Sequence, residues 1–155
     1  MRNLRRIVLG AAAIGMVWSA PASAQNAELE AETLQKLDIM LMVTHLRCRL
    51  GEDGFESEYR AYAERHKDTM NRAGQDLHAY YALRHGAERA QRHIDSLGTG
   101  MANSYGRGHP WLSCIQLKEV AADLADTPSR AQLLSAAHEL LEDRPRTDNL
   151  LASYR

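Results

Sequence analysis

Apolar side chains recur every three or four positions along most of the chain, which is the spacing of one face of an α-helix. The first stripe covers about residues 29–48, and its members are Leu34, Leu37, Leu41, Thr44 and Cys48. The second covers about residues 55–85, and its members are Phe55, Tyr59, Tyr62, His66, Met70, Ala73, Leu77 and Tyr81. Because this stripe continues through Gly74, it predicts one long helix.

Three shorter stripes predict three further helices. The third helix presents Ala90, Ile94, Leu97, Met101 and Tyr105 on one face. The fourth presents Trp111, Cys114, Leu117, Ala121 and Leu124, and the fifth presents Leu133, Leu134, Ala137, Leu140 and Leu141. No segment after residue 24 alternates polar and apolar residues over the length of a strand. The pattern therefore predicts an all-α fold, a bundle of four or five helices.

Turn-forming and capping residues predict where these helices begin and end. Asp53 or Gly54 is expected to cap the second helix, and Gly86 is expected to end it in the left-handed conformation. Pro110 is expected as the first residue of the fourth helix, and Thr127 with Pro128 as the start of the fifth. Gly98 and Gly100 lower the helix propensity of the third helix and predict a bend or fraying there.

The N-terminus has the pattern of a cleaved secretory signal peptide. Arg2, Arg5 and Arg6 precede a short apolar run, and the small residues Ala22-Ser23-Ala24 provide a cleavage site after Ala24. The apolar run is several residues short of the roughly 20 that a membrane-spanning helix needs. We therefore expect a signal peptide at 1–24, a helical domain at 25–143 and a C-terminal tail at 144–155, in the periplasm or secreted. The arginine pair leaves the general and the twin-arginine export routes both open.

The charge of the processed chain argues against nucleic acid as a partner. Removal of residues 1–24 takes away three arginines and no acids, which leaves 16 basic and 20 acidic groups and a net charge of −4. A mildly acidic surface does not attract a polyanion. We expect no membrane span after cleavage, and an envelope protein or a small anionic ligand as the partner.

Two cysteines in an exported protein predict one disulfide. Cys48 and Cys114 both lie on apolar stripes, so both are expected to face the core. An oxidising compartment favours their pairing, and the alternative is a pair of buried free thiols. The absence of Cys-x-x-Cys indicates a structural bridge rather than a redox centre.

Most motifs that carry catalysis or cofactors are absent from the sequence. It contains no Cys-x-x-Cys-His, no Glu-x-x-His, no Gly-x-Ser-x-Gly, and no glycine-rich nucleotide loop. No cofactor is therefore predicted. A haem b or copper site between Met40 or Met42 and His138 remains an alternative, since such axial pairs occur in helical bundles.

The segment from Asn103 to Trp111 is the candidate ligand site. This segment contains Gly106 and Gly108 and precedes a predicted helix start. It also contains four side chains with polar groups that a turn alone does not need, namely those of Asn103, Tyr105, Arg107 and His109. One interpretation of these groups is a site for a small anionic ligand, or the active site of a small enzyme. The alternative is a turn anchored by Trp111, with Arg107 and His109 in solvent.

Two other features remain open at this point. A basic run over ten residues could hold an anionic ligand or an acidic envelope polymer, and a solvated helix face explains it equally well; its members are Arg84, His85, Arg89, Arg92 and His93. His66 lies on an apolar stripe, where a hydrogen-bonded core histidine is more common than a ligand.

The blocks LDIMLMVTHLRCR and MANSYGRGHPWLSC, together with the signal peptide, resemble a set of small exported bacterial proteins without an established activity. The resemblance covers nearly all of the processed chain and implies an all-α fold with two cysteines. Some members are designated S-adenosyl-L-homocysteine hydrolase, an enzyme with a much longer chain and a dinucleotide-binding domain. This sequence has neither the length nor the glycine motif, so the residues do not support that activity. We expect a binding or structural factor of the cell envelope.

Overall fold

A computed structural model of the chain describes residues 22–142, with side chains from residue 25 onward, and contains five helices. They are α1 (Ala22–Cys48), α2 (Glu56–His85), α3 (Ala87–Tyr105), α4 (Cys114–Asp126) and α5 (Arg130–Leu141). The residues described hold no strand, so the predicted all-α bundle is confirmed. Most of the predicted signal peptide, up to residue 21, and the predicted tail at 144–155 lie outside the described residues, and the predicted cleavage site after Ala24 falls in the first turn of α1.

Helix α1 is the central element of the bundle because α2, α3, α4 and α5 all pack against it. Its apolar stripe is fully buried and meets the stripes of α2, α4 and α5 in one core. The largest fully buried side chains are Tyr62, Phe55, Leu34, Leu37, Met40, Leu41, Leu77, Leu117 and Leu133. A helix that contacts four neighbours leaves clefts wherever two of those neighbours fail to meet across it.

The disulfide links α1 to α4 as predicted. The Cα atoms of Cys48 and Cys114 are 5.7 Å apart, within the range that a disulfide spans. The bridge joins the last residue of α1 to the first residue of α4 across 66 positions of sequence. It therefore fixes the two helix ends that border the loop between α3 and α4.

Two predicted helix starts are wrong because serine caps compete with the prolines. Helix α4 begins at Cys114 rather than Pro110, since Ser113 forms a capping box in which its Oγ accepts from the Gln116 N–H. Helix α5 begins at Arg130 rather than Pro128, since the Ser129 Oγ accepts from the Gln132 N–H. A serine side chain accepts a hydrogen bond from a free N–H group at the helix start. A proline is compatible with that position because it has no N–H group, but it forms no hydrogen bond there.

The boundaries of α2 and α3 also differ from the prediction. The residue before α2 is Phe55, which makes no side-chain capping bond, so neither Asp53 nor Gly54 fills that role. Gly86 has the expected positive φ of 86°, but its ψ of 156° is extended rather than left-handed helical. Helix α3 continues through Gly98 and Gly100 to Tyr105 without a break.

Within the described part of the chain, none of the helices combines the length and the hydropathy that crossing a bilayer requires.

Candidate functional site

The four residues of the predicted loop site occupy two different environments. Asn103 and Arg107 are exposed, whereas Tyr105 and His109 are buried with their ring centroids 5.4 Å apart. Asn103 and Tyr105 belong to the last turn of α3 rather than to the loop. The structure therefore brings together Tyr105 and His109 but places Arg107 apart from them on the surface, and the predicted ligand role of this set stays a prediction.

His109 has a structural partner at the end of α5. Its Nε2–H donates to the carbonyl oxygen of Leu140 at 2.9 Å, and the neighbouring Trp111 Nε1–H donates to the carbonyl of Glu142 at 3.3 Å. The last carbonyls of a helix lack partners within the helix, so both side chains cap α5. Burial lowers the pKa of His109 and outweighs the hydrogen bond to Leu140, which acts in the opposite direction, so the neutral imidazole is favoured. Stabilisation of α5 explains why the loop carries these two groups.

The cleft between α3 and α5 contains two of the predicted residues. Both helices pack on α1 with little contact between them, and a cleft of about 620 Å³ opens there. Tyr105 and His138 lie in its lining, which also includes Lys36 and Glu142. Because Lys36 is paired with Glu32 at 2.6 Å, its charge is already balanced. We name this space the α3–α5 cleft, and it offers no surplus positive charge to an anion.

The three residues of the alternative haem or copper site differ in how far they are buried. Met40 is fully buried in the core, Met42 is 39% exposed, and His138 lies at the α3–α5 cleft. Among residues 22–142, no group of three or more His, Cys, Asp or Glu side chains is placed to hold a metal ion. The haem or copper alternative stays a prediction without a geometric argument behind it.

The basic run lies where α2 turns into α3. The Arg84 guanidinium lies over the Tyr80 ring, 3.6 Å from its centroid. The rings of His93 and Tyr81 stack with their centroids 3.8 Å apart. Arg92 is 3.7 Å from Glu88 in a pair whose side chains are largely exposed. We call Arg84, His85, Arg89 and Arg92 the basic corner.

His66 is a core histidine, as expected from its place on an apolar stripe. It is buried, and its Nε2 lies 2.7 Å from the carbonyl oxygen of Leu124.

A second cleft, between α1, α2 and α3, contains a feature that the sequence analysis did not identify. Its volume is about 590 Å³, and the half-buried carboxylate of Asp38 lies in its wall. The other lining residues are Gln35, Met70, Asn71, Gly74, Gln75, His78 and Ile94. We name this space the Asp38 cleft. Its wall contains three side-chain amides, one imidazole and a single acid, so it presents hydrogen-bonding groups and one carboxylate to a ligand.

Asp38 has neither a hydrogen-bond donor nor a cation as its partner within the described residues. Burial alone raises the pKa of its carboxyl above the ordinary value of 3.8. Burial, followed by the nearby Asp38 carboxylate, also raises the pKa of Tyr59 and of Tyr62. An ionised group that loses water without gaining a partner destabilises the fold. Asp38 therefore does not serve the packing of the bundle.

Gln35 and Gly74 shape the floor of the Asp38 cleft. The Gln35 Nε2–H donates to the carbonyl oxygen of Met70 in α2 at 2.8 Å, which holds α1 and α2 in register at this level. A Cβ at position 74 would lie 3.5 Å from the Gln35 amide, an ordinary van der Waals distance. The glycine thus leaves a shallow recess beside Asp38.

One signal in the sequence marks Asp38. It is the only charged residue in the apolar run from Leu37 to Val43, and it lies four residues after Leu34 and three before Leu41. This spacing places an acid at the edge of the buried stripe. The sequence does not show whether a cation on another helix faces it, so the absence of a partner required the tertiary structure.

Comparison of the chain with family models, with curated proteins and with solved structures gives no match.

Proposed function

We propose that this protein is an exported binding factor of the cell envelope that holds a small cationic ligand in the Asp38 cleft. The observation that carries the proposal is the half-buried Asp38 carboxylate, which faces the cleft without a cation or donor among the described residues. A ligand with an ammonium or guanidinium group would supply the missing partner. The N-terminal signal pattern supports the envelope as the location.

The energetic argument rests on what binding would restore to Asp38. A buried charge loses hydration, and an opposite charge at short distance compensates for that loss in a partly desolvated site. Charged groups that destabilise the free protein are concentrated at functional sites, where a ligand completes them. Asp38 fits this description, because no contact within the described bundle explains its position.

The other groups of the cleft support a small polar ligand. Asn71, Gln75 and His78 each carry hydrogen-bonding atoms at the rim of the cleft, while Met70 and Ile94 provide apolar surface. A volume of about 590 Å³ matches the few hundred Å³ typical of small-molecule sites. The combination favours a compact organic cation that also accepts or donates hydrogen bonds.

A matched panel of compounds tests the proposal. Thermal unfolding of the protein is followed with primary amines and guanidinium compounds, each beside its N-acylated, uncharged counterpart. Charged members should raise the unfolding midpoint of the wild type, because a ligand that binds only the folded state stabilises it. Uncharged counterparts should have little effect.

Two variants make the panel specific to the cleft. Asp38→Asn keeps the shape of the side chain but removes the charge, and it should abolish the response. Asp68→Asn removes an exposed acid of α2 and should respond as the wild type. The proposal is wrong if no charged compound stabilises the wild type, or if Asp38→Asn responds equally.

A further inference from the structure

The basic corner carries an exposed apolar side chain among its cations. Leu83, in the last turn of α2, is 88% exposed, and Arg84 follows it directly. Arg89 and Arg92 project from the first turns of α3, on the other side of Gly86. Tyr80, one turn before Arg84, adds an aromatic ring to the same corner. Cationic, aromatic and aliphatic groups thus lie near one another in sequence at the junction between α2 and α3.

The charges of the basic corner are available to a partner. Arg84 lies over the face of the Tyr80 ring and forms no ion pair within the described residues, which leaves the edge of its guanidinium open to an acceptor. Arg89 forms no ion pair within the described residues. The pair between Arg92 and Glu88 is long, at 3.7 Å, and its side chains are 66% and 92% exposed, so solvent screens it strongly.

This combination fits a lipid surface better than a soluble polyanion. A polymer of phosphates or carboxylates would engage the arginines and gain nothing from Leu83. At a bilayer surface, aliphatic side chains enter the boundary between headgroups and acyl chains, aromatic rings lie at the headgroup level, and arginines contact the phosphates. The processed chain has a net charge of −4, so the attraction is local to this corner and orients the molecule.

We propose that the basic corner docks this protein on a bilayer rich in anionic phospholipid, with Leu83 entering the headgroup layer. The contact is peripheral and reversible, since one leucine and a few cations give weak membrane affinity. Docking of this corner would leave the Asp38 cleft uncovered, because its lining shares no residue with the corner.

Vesicle co-sedimentation tests the docking surface. Protein purified from expressing cells, with its N-terminal residue determined by mass spectrometry, is mixed with vesicles of phosphatidylglycerol and phosphatidylcholine, or of phosphatidylcholine alone. The wild type should bind the anionic vesicles and should lose binding as salt increases. Leu83→Ser and the triple variant Arg84→Gln, Arg89→Gln, Arg92→Gln should each lower binding, the triple variant by roughly 100-fold if each arginine contributes about fivefold.

Matched controls separate the corner from general charge and hydrophobicity. Leu50→Ser removes an equally exposed leucine, 89% exposed, that lies beyond the other end of α2. The triple variant Arg47→Gln, Arg65→Gln, Arg72→Gln removes the same charge from other exposed positions. Both should bind as the wild type, and circular dichroism checks that all variants remain helical.

Several results would overturn the docking proposal. They are the absence of wild-type binding to anionic vesicles, equal binding to phosphatidylcholine, and equal losses in the control variants. Binding to soluble polyglutamate that Leu83→Ser leaves unchanged, with weaker binding to vesicles, would indicate an acidic polymer instead. Asp38→Asn should bind vesicles as the wild type, so this proposal and the ligand proposal can fail independently.

Discussion

Asp38, which is half-buried, and His109, which is buried, are titratable residues that differ in their hydrogen-bond partners. His109 donates to a helix-terminal carbonyl and remains neutral, whereas Asp38 has no such partner within the described structure. The first arrangement stabilises the fold and the second destabilises it. This contrast separates a side chain that completes the structure from one that we assign to a ligand.

Replacement of Asp38 by asparagine should stabilise the free protein at neutral pH. Burial raises the pKa of Asp38, so the folded state binds the proton more tightly than the unfolded chain does. The favourable contribution of this group is present at low pH and is lost as the pH rises through its folded pKa. At pH 7, Asp38→Asn should therefore increase the free energy of unfolding by about 1 kcal/mol.

The pH dependence provides the check on this prediction. Urea denaturation at pH 7 should show the gain for Asp38→Asn, and the gain should shrink near pH 3, where the carboxyl is protonated in both states. A lower stability of Asp38→Asn at pH 7 would show that the carboxylate has a stabilising partner after all.

Protonation of His109 should lower the stability of the folded protein in mild acid. Because burial lowers its pKa, the unfolded chain binds the proton more tightly, and the stability from this group is lost as the pH falls below the ordinary value of 6.5. His109→Gln can still donate to the Leu140 carbonyl but does not titrate. It should cost about 1 kcal/mol at pH 8 and lose less stability than the wild type between pH 7 and pH 5.

Denaturant titrations of the variant and the wild type at several pH values measure this difference. His138→Gln makes the same substitution at an exposed position of α5 and serves as the matched control. An unchanged pH dependence in His109→Gln would refute the structural assignment of His109.

At the scale of helices, the spacing of apolar residues predicts the helices more accurately than the capping residues predict where they begin. All five apolar stripes form helices, because burial of one face decides whether a helix forms. The starts of α4 and α5 were mispredicted because Pro110 and Pro128 are only compatible with a helix start, whereas Ser113 and Ser129 bond to it. The reach of a capping side chain depends on local geometry, which a sequence pattern does not contain.

The glycines of α3 offer a direct test at this scale. A Cβ at Gly98 or at Gly100 would meet nothing within 4 Å, so alanine should fit there without strain. Gly98→Ala and Gly100→Ala should each raise the free energy of unfolding by up to about 1 kcal/mol, the difference in helix propensity. Gly86→Ala should lower it, because Gly86 has a φ of 86°. A destabilising Gly98→Ala would show that α3 is not a continuous helix.

At the scale of the whole molecule, the sequence predicted the bundle and its disulfide but not its clefts. The two cysteines lie on apolar stripes of different helices, and the predicted export of the chain favours their pairing. The Asp38 cleft lies where α1, α2 and α3 pack against one another, and the α3–α5 cleft lies between two helices that both pack on α1 with little contact between them. The angles between packed helices depend on side-chain packing over the whole core.

The disulfide should contribute a large share of the stability of the bundle. Cys48 and Cys114 close a loop of about 67 residues, for which loss of chain entropy in the unfolded state corresponds to roughly 4 kcal/mol. Reduction should lower the melting temperature by roughly 10 °C or more. The double variant Cys48→Ala, Cys114→Ala should have a melting temperature close to that of the reduced wild type, and reductant should not change it. An unchanged melting temperature after complete reduction would contradict this assignment.

The proposed role of Asp38 depends on the state of its carboxyl group, and the titration of that group can be measured directly. Carbon-13 NMR of the side-chain carboxyl of Asp38, followed against pH in the free protein, reports its pKa without any ligand or activity assay. The account predicts a value above 3.8, the ordinary value, because the group is desolvated and unpaired. A pKa at or below 3.8 would show that a cation or donor already satisfies Asp38, and would contradict its assignment to a ligand.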